Sequence, residues 1–545
     1  MRHPICKSSA VLVFTGMTLF VSRAHAQASS PTGAQSATPR VENDVARGLL
    51  RKIQEQQKQL DEEQKKLAEQ QKTIYDEQKS LATLIRELEG LVDGSTPTVP
   101  SIDAHQMPPK TAPGASTLEA NPALNTAPAV TPSQGIPIPS AFVAPQTDDN
   151  RYRDGIVIWE TRENAKVPFL LKFNDNTQIR YLNTLNSQTT FTDHLGVPHD
   201  VHLRNDITIN RSMFVFGGYI FDKRLLYSVT VWTSAGAASI VVAGNIGWMF
   251  GRALTITGGY TGLPGSRSLV NTFPFFTASD RSMADNFFRP GFTQGVWASG
   301  EPVKGLNYLM MIGNGLNTLN ISAAKIDAHL AFSGSVWWEP MGPYGGSGKS
   351  RNMYDDYFAS KKVRIRIGTS LTKAREDRFS DLNQLNPDNT SLYNSDGVLT
   401  FSTGAFAPGV TVNLATYKMW AADYGIKWNG LAVNGQYFTR WLGNFDADGP
   451  LPLASTFDHG GEVSASYFVK PKRWMPYIRG SWVIGQFGNS YEYGGGVKWF
   501  FLPTERVWLN AELFRVNKSP YNGTFTPYTA GMTGWVPMLQ AYLAF

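Results

Sequence analysis

Residues Trp535–Phe545 alternate strictly between two faces. Leu539, Ala541, Leu543 and Phe545 share one parity, and Met538, Gln540 and Tyr542 share the other. A period of two reads as a β-strand with one apolar face. An aromatic at the tip of such a strand suits the interfacial girdle of a membrane-spanning barrel. A strand of a soluble sheet would show the same alternation, so the rest of the chain has to decide between them.

The opening residues predict export. Arg2 and Lys7 form a basic region, and Ala10 to Val21 form an apolar stretch too short to span a bilayer. Ala24-His25-Ala26 is a small-x-small cleavage site, which sets a signal peptide at 1–26 and a mature start at Gln27. Gln27 rather than Cys follows the cut, so no lipid anchor is expected. The single cysteine, Cys6, leaves with the signal, and no disulfide framework remains. Beyond it no run of about 18 apolar residues is present. An exported chain without a spanning helix is periplasmic, secreted or a barrel.

Composition favours the barrel. Charged residues are 17% and aromatics 12%, yet mean hydropathy is only −0.24. Alternating strands hide a lipid face from any hydropathy window in this way.

Three regions follow a flexible stretch at 27–42. In 43–92, Ala46, Ile53, Leu60, Leu67, Ile74, Leu81 and Leu88 recur every seven residues. Taking these as d, the a positions are Asn43, Leu50, Gln57, Gln64, Gln71, Gln78, Ile85 and Val92. The pattern predicts an α-helical coiled coil whose buried glutamines fix register, read here as a trimer. Its rod would be about 75 Å long at ~1.5 Å per residue. Residues 93–152 are rich in Pro, Ser, Thr and Ala and predict a linker.

Residues 153–545 read as strand after strand. Val363, Ile365 and Ile367 oppose Lys362, Arg364 and Arg366. Leu431, Val433, Tyr437 and Trp441 oppose Asn434, Gln436 and Arg440. Over 325–338, Ile326, Ala328, Leu330, Phe332 and Val336 oppose Lys325, Asp327, His329, Ser333 and Ser335. Val507, Leu509, Ala511 and Leu513 oppose Trp508, Asn510 and Glu512. Apolar on one parity and charged on the other predicts an all-β transmembrane barrel with a polar lumen. At roughly 25 residues per strand and loop, about 16 antiparallel strands are expected.

The barrel region resembles the phosphate-selective porin O and P family. The matching segments are Asn210-Arg-Ser-Met-Phe-Val-Phe-Gly-Gly218, Gly258-Gly-Tyr-Thr-Gly-Leu-Pro-Gly265 and Asp280-Arg-Ser282. Phe288-Arg-Pro-Gly291, Gln294-Gly-Val296 with Gly300, Arg366-Ile-Gly-Thr-Ser370 and the closing Leu539–Phe545 follow in order. The resemblance implies a 16-stranded trimeric outer-membrane porin with a loop folded into the lumen and basic residues selecting anions. The chain departs from the pattern at Asn210 and at Phe292-Thr293, where the family tends to carry arginine. Both departures bear on phosphate rather than on the barrel.

The candidate site is basic. Lys362, Arg364 and Arg366 cannot face lipid at mid-depth, where each would cost about 2–4 kcal/mol. They face the lumen or lie beyond the membrane, to attract anions or to pair with carboxylates such as Asp423 or Glu512. Lys427, Arg440, Arg479 and Lys498 are assigned the same lumen parity. Thr277–Gly295 reads as a long functional loop in which Arg281 and Arg289, with Asp280 and Asp285, line a constriction. Gly345-Gly-Ser-Gly-Lys-Ser350 only imitates a phosphate-binding loop and reads as a glycine-rich turn. Asp193, His194, His199, Asp200 and His202 cluster without the spacing of a metal site. No catalytic residue, metal or cofactor is assigned.

Residues 151–545 carry 36 Lys+Arg and 28 Asp+Glu, about +8. This sign suits anionic solutes, and no basic run with interleaved aromatics suggests nucleic acid. The expectation is an outer-membrane porin passing small hydrophilic anions, with phosphate among them, as a homotrimer in lipid. The alternative is a tether, with the coiled coil in the periplasm contacting the cell wall and the barrel as anchor.

Overall fold

The computed structural model describes residues 151–545 apart from 154, 235–238, 271–272, 319–320, 322–323, 327, 346–352, 381–385 and 524. The described residues belong to the second of two units, Ala120–Phe545. The signal segment, the stretch 27–42, the coiled coil and nearly all of the linker lie outside them.

The chain begins with a short strand β1 (Ile156–Glu160) and the long β2 (Phe169–Asn183). A small hairpin follows, made of β3 (Thr190–Thr192) and β4 (Pro198–Asp200). Then come β5 (Asn205–Ile220), β6 (Asp222–Ser234), β7 (Ser239–Gly251), β8 (Leu254–Gly262), β9 (Phe292–Val303), β10 (Leu306–Gly313) and β11 (Ala331–Trp338). The series ends with β12 (Arg364–Asp377), β13 (Val412–Trp428), β14 (Leu431–Ala447), β15 (Ser455–Tyr467), β16 (Trp474–Gly485), β17 (Gly488–Trp499), β18 (Val507–Asn517) and β19 (Gly534–Ala544). From β5 onward each strand pairs antiparallel with the next. β19 then returns to β2, with Met538 opposite Leu182 and Ala544 opposite Asn176. Sixteen strands close on themselves, and β1 lies along the start of β2 with Ile156 opposite Phe173. Closure leaves no unpaired edge, which is the condition for a sheet to sit in hydrocarbon.

The two ends of the barrel differ. At one end the connections are mostly tight. Asn429-Gly430 joins β13 to β14 with Trp428 opposite Leu431, and both turn residues have positive φ, 49° and 88°. Such a two-residue turn needs residues that tolerate the left-handed region. At the other end the loops are long. By the usual asymmetry of such barrels the tight end is periplasmic.

The alternation of the sequence sets the two faces. Leu539 and Leu543 are exposed outward while Met538, Gln540 and Tyr542 are buried inward. Ile367 and Leu371 point out where Arg366 and Thr372 point in. Aromatics mark the outer rims. Trp474 and Trp499 stack at 5.4 Å near the tight end, and Trp441 meets Phe457 at 5.1 Å higher up. The Phe545 N–H donates to the Asp175 carbonyl at 3.1 Å, and the ring lies edge-on to Phe173. One expected strand is shorter than its alternation suggested: over 325–338, pairing starts only at Ala331.

Candidate functional site

The interior is reached from both ends. The β8–β9 loop, 263–291, turns inward, and its described residues up to Pro290 are buried. It contains a short helix α1 (Met283–Phe288), capped by Ser282 Oγ, which accepts from the Asp285 N–H at 3.1 Å. The wall makes room for this helix. A Cβ on Gly460 would lie 2.8 Å from the Phe288 ring. Phe288 stacks on Phe438 at 5.3 Å, and the Tyr417 hydroxyl donates to the Phe288 carbonyl at 2.6 Å. Wall carboxylates accept from the loop backbone: Glu492 from the Met283 N–H and Glu512 from the Ser279 N–H, each at 3.0 Å.

A second inward segment comes from the tight end. The β11–β12 connection sends Met353–Tyr357 into the lumen, all five buried. The Tyr354 N–H donates to the Phe275 carbonyl at 3.0 Å, so the two segments meet. Asn434 donates to the Tyr354 carbonyl at 2.8 Å and Gln436 to its hydroxyl at 2.9 Å. The Arg267 guanidinium lies 4.1 Å from the Tyr354 ring centre.

Where they meet, charges crowd together. The Asp280 carboxylate accepts from Arg180 at 2.9 Å and from Arg211 at 3.4 Å, all three buried. Arg281 donates to Ser268 Oγ at 3.0 Å and stands 3.5 Å from Asp285. Arg289 lies over Phe292, close enough to Arg211 and Arg281 to repel both. Arg281 Nη1 and Arg289 Nη1 are buried without a hydrogen-bond partner. The void beside Asp280, Arg281 and Asp285 measures about 10 Å³, room for about one water. Burial pushes the Asp280 carboxyl up, but Arg211, Arg180 and Arg281 together hold it well below the usual carboxylate range. Asp355, on the second segment, goes the other way. Burial raises it although Lys498 and Lys427 pull it down.

The sequence-predicted residues divide by height and face. Lys427 is buried and donates to the Tyr344 and Met353 carbonyls at 3.0 and 2.8 Å, holding the second segment. Lys498 donates to the Phe276 carbonyl at 2.6 Å, holding the first. Arg479 bridges the Asp280 carbonyl at 2.7 Å and Glu492 at 2.5 Å. Arg440 pairs with Asp458 at 2.7 Å. Arg366 is fully buried and donates to Asp423 at 2.8 Å. Arg364 bonds the Met341 carbonyl at the tight-end rim. Lys362 is exposed and lies before β12 begins, so it does not join the row that its alternation suggested. Arg180 and Arg267 escaped sequence reading; only the buried parity of Gln178 and Arg180 in β2 could have shown the first. Among the loop histidines, His199 pairs with Asp193 at 2.8 Å and His194 with Asp396 at 2.5 Å. These are two pairs rather than one centre.

The row therefore has separable parts. Arg366→Glu would set a third carboxylate beside Asp423 and Glu339 in a dry wall, and a loss of about 3–5 kcal/mol is expected. Lys362→Glu should leave the unfolding transition unmoved. Urea unfolding of both variants in lipid vesicles, with equal shifts, would contradict this division.

A closed barrel with an apolar exterior and a charged interior defines a transmembrane β-barrel. No family model matches the sequence, and no curated protein matches it. Solved structures similar to the chain include OmpT, an outer-membrane protein of Vibrio cholerae. It is 10% identical, over 71% of this chain and 100% of that one, with a TM-score of 0.43. An anion-selective porin from Comamonas acidovorans is 10% identical over 69% and 99%, with a TM-score of 0.41. The outer-membrane channel DcaP of Acinetobacter baumannii is 10% identical over 71% and 99%, with a TM-score of 0.37.

Proposed function

We propose that the chain is an outer-membrane channel for small anionic solutes, with phosphate among them. The observation that carries this is the neck of the barrel, where Arg180, Arg211, Arg281, Arg289 and Arg479 gather around Asp280, Asp285 and Glu462. Among the described residues the signs balance: the buried charged side chains number twelve of each. Selection therefore rests on the local excess at the neck rather than on the net charge of the barrel. Arg281 Nη1 and Arg289 Nη1 have no hydrogen-bond partner, and opening of the neck would present both as donors to an oxyanion. Assembly as a homotrimer, with residues 43–92 as a periplasmic coiled coil, is part of the same proposal.

Reversal potentials in a potassium chloride gradient test it. The wild-type channel should prefer anions. Arg281→Gln with Arg289→Gln should move the reversal potential toward cations, most strongly at low salt, where screening is weakest. Chloride and phosphate should compete without a micromolar phosphate site. A wild-type channel that prefers cations would sink the proposal.

A further inference from the structure

The outer wall carries a feature that the channel does not use. In β12 and β13, Lys373 stands directly opposite Lys418. Both are exposed on the outward face. Directly opposed residues of an antiparallel pair have Cβ atoms about 5 Å apart, and like charges there are destabilising. The same row runs through Ile312, Phe332, Trp441 and Phe457, none of them acidic. Among the described residues no ion pair holds either lysine. A third cation, Arg375, lies one step nearer the mouth. It is fixed by bonds to Thr416 Oγ1 at 3.0 Å and the Asn444 carbonyl at 2.6 Å.

Below the lysines the wall is hollow and apolar. Short β10 and β11 neighbour the longer β12, β13 and β14, and a depression of about 1360 Å³ lies across them. Val296, Met310, Ile312, Phe332, Leu371 and Trp420 line it, each more than a third exposed. A second hollow of about 550 Å³ adjoins it, and Lys373, Lys418 and Arg375 line that one. Cations at the girdle above an apolar trough match one shape: an amphiphile with a phosphorylated head toward the cell exterior and acyl chains along the wall.

We infer that this face binds one phosphorylated lipid of the outer leaflet, its phosphate between Lys373 and Lys418 and its chains in the trough. The inference rests on the reading of the barrel as an outer-membrane protein. A second copy of the chain is the rival occupant. A cyclic contact would set another face of the neighbouring copy against the lysines, and crosslinking separates that occupant from the lipid.

The test is native mass spectrometry of the full-length protein in mild detergent with diphosphorylated lipid A as probe. Phosphatidylcholine serves as the neutral control. Wild type should retain one lipid A and little phosphatidylcholine. Lys373→Gln with Lys418→Gln should weaken lipid A binding roughly 30-fold, at about 1 kcal/mol per lysine. Phe332→Ala with Trp441→Ala should weaken both lipids alike. Both variants should keep the wild-type conductance and heat-modifiable mobility, since neither touches the lumen. Lipid A retention unchanged in the lysine variant would overturn the inference. So would equal binding of the neutral lipid, displacement of lipid A by millimolar inorganic phosphate, or crosslinks from this face to a second copy in lipid-free protein. A protein that passes no ions but still retains lipid A would overturn the channel and leave this site standing.

Discussion

Replacing residues 342–363 by Asn-Gly should raise single-channel conductance severalfold. The substitution is structurally modest, because Trp338 already lies opposite Ile367 in adjacent antiparallel strands, and Asn-Gly closes such a hairpin without strain. Its effect on the lumen is large. Tyr354 leaves, and with it the backbone bond to Phe275 and the ring beneath Arg267. Lys427 loses both carbonyls that it now binds and becomes a solvated lumen cation. Asp355 and Asp356 leave with the segment, but Lys349, Arg351, Lys361 and Lys362 leave too, so a net charge of +2 is lost. The rise in conductance should be read directly in planar bilayers. A variant with wild-type heat-modifiable mobility and unchanged conductance would show that the segment does not limit the path.

That segment also marks where sequence reading stopped. Outward and inward parity were legible because lipid and lumen impose opposite demands on successive residues. Leu509 against Asn510, or Trp441 against Arg440, could be placed from alternation alone. The β8–β9 loop was legible in part: 277–295 read as a loop from its length and its density of Phe, Asp and Arg, whereas the loop begins at 263 and 292–295 already belong to β9. The β11–β12 connection was not, because alternation says nothing about which way a connection bends. Its signal was positional: about 25 residues at the end where β13 and β14 are joined by two. Recognising that requires knowing which end is which, and hence the register of every strand. Lys362 failed for a related reason. Parity holds only inside a strand, and β12 begins at Arg364. The converging arginines were invisible because Arg180, Arg211 and Arg281 come from three elements far apart in sequence.

Asp280→Asn should have the largest effect on the neck. Asp280 is 2% exposed and is the shared acceptor of Arg180 and Arg211, at 1% each. Removing its charge leaves two guanidinium groups facing each other in a dry site. Breaking a buried pair by deleting one partner costs about 3–5 kcal/mol. Part of that cost should appear as undocking of the loop, since Arg479 and Gln540 also hold its backbone at Asp280 and Ser279. The heat-modifiable transition should fall, and the reversal potential should move further toward anions. Asp280→Glu should recover the charge and part of the stability. The pH dependence has a definite sign. Arginines depress the folded-state carboxyl, so its contribution is fully present above the unfolded value of about 3.9. It is lost as pH falls from there through the lower folded value. Wild type should weaken in that acidic window while Asp280→Asn shows no corresponding loss. Equal melting of the two proteins at neutral pH would mean that the arginines find other partners and that Asp280 does not organise the neck.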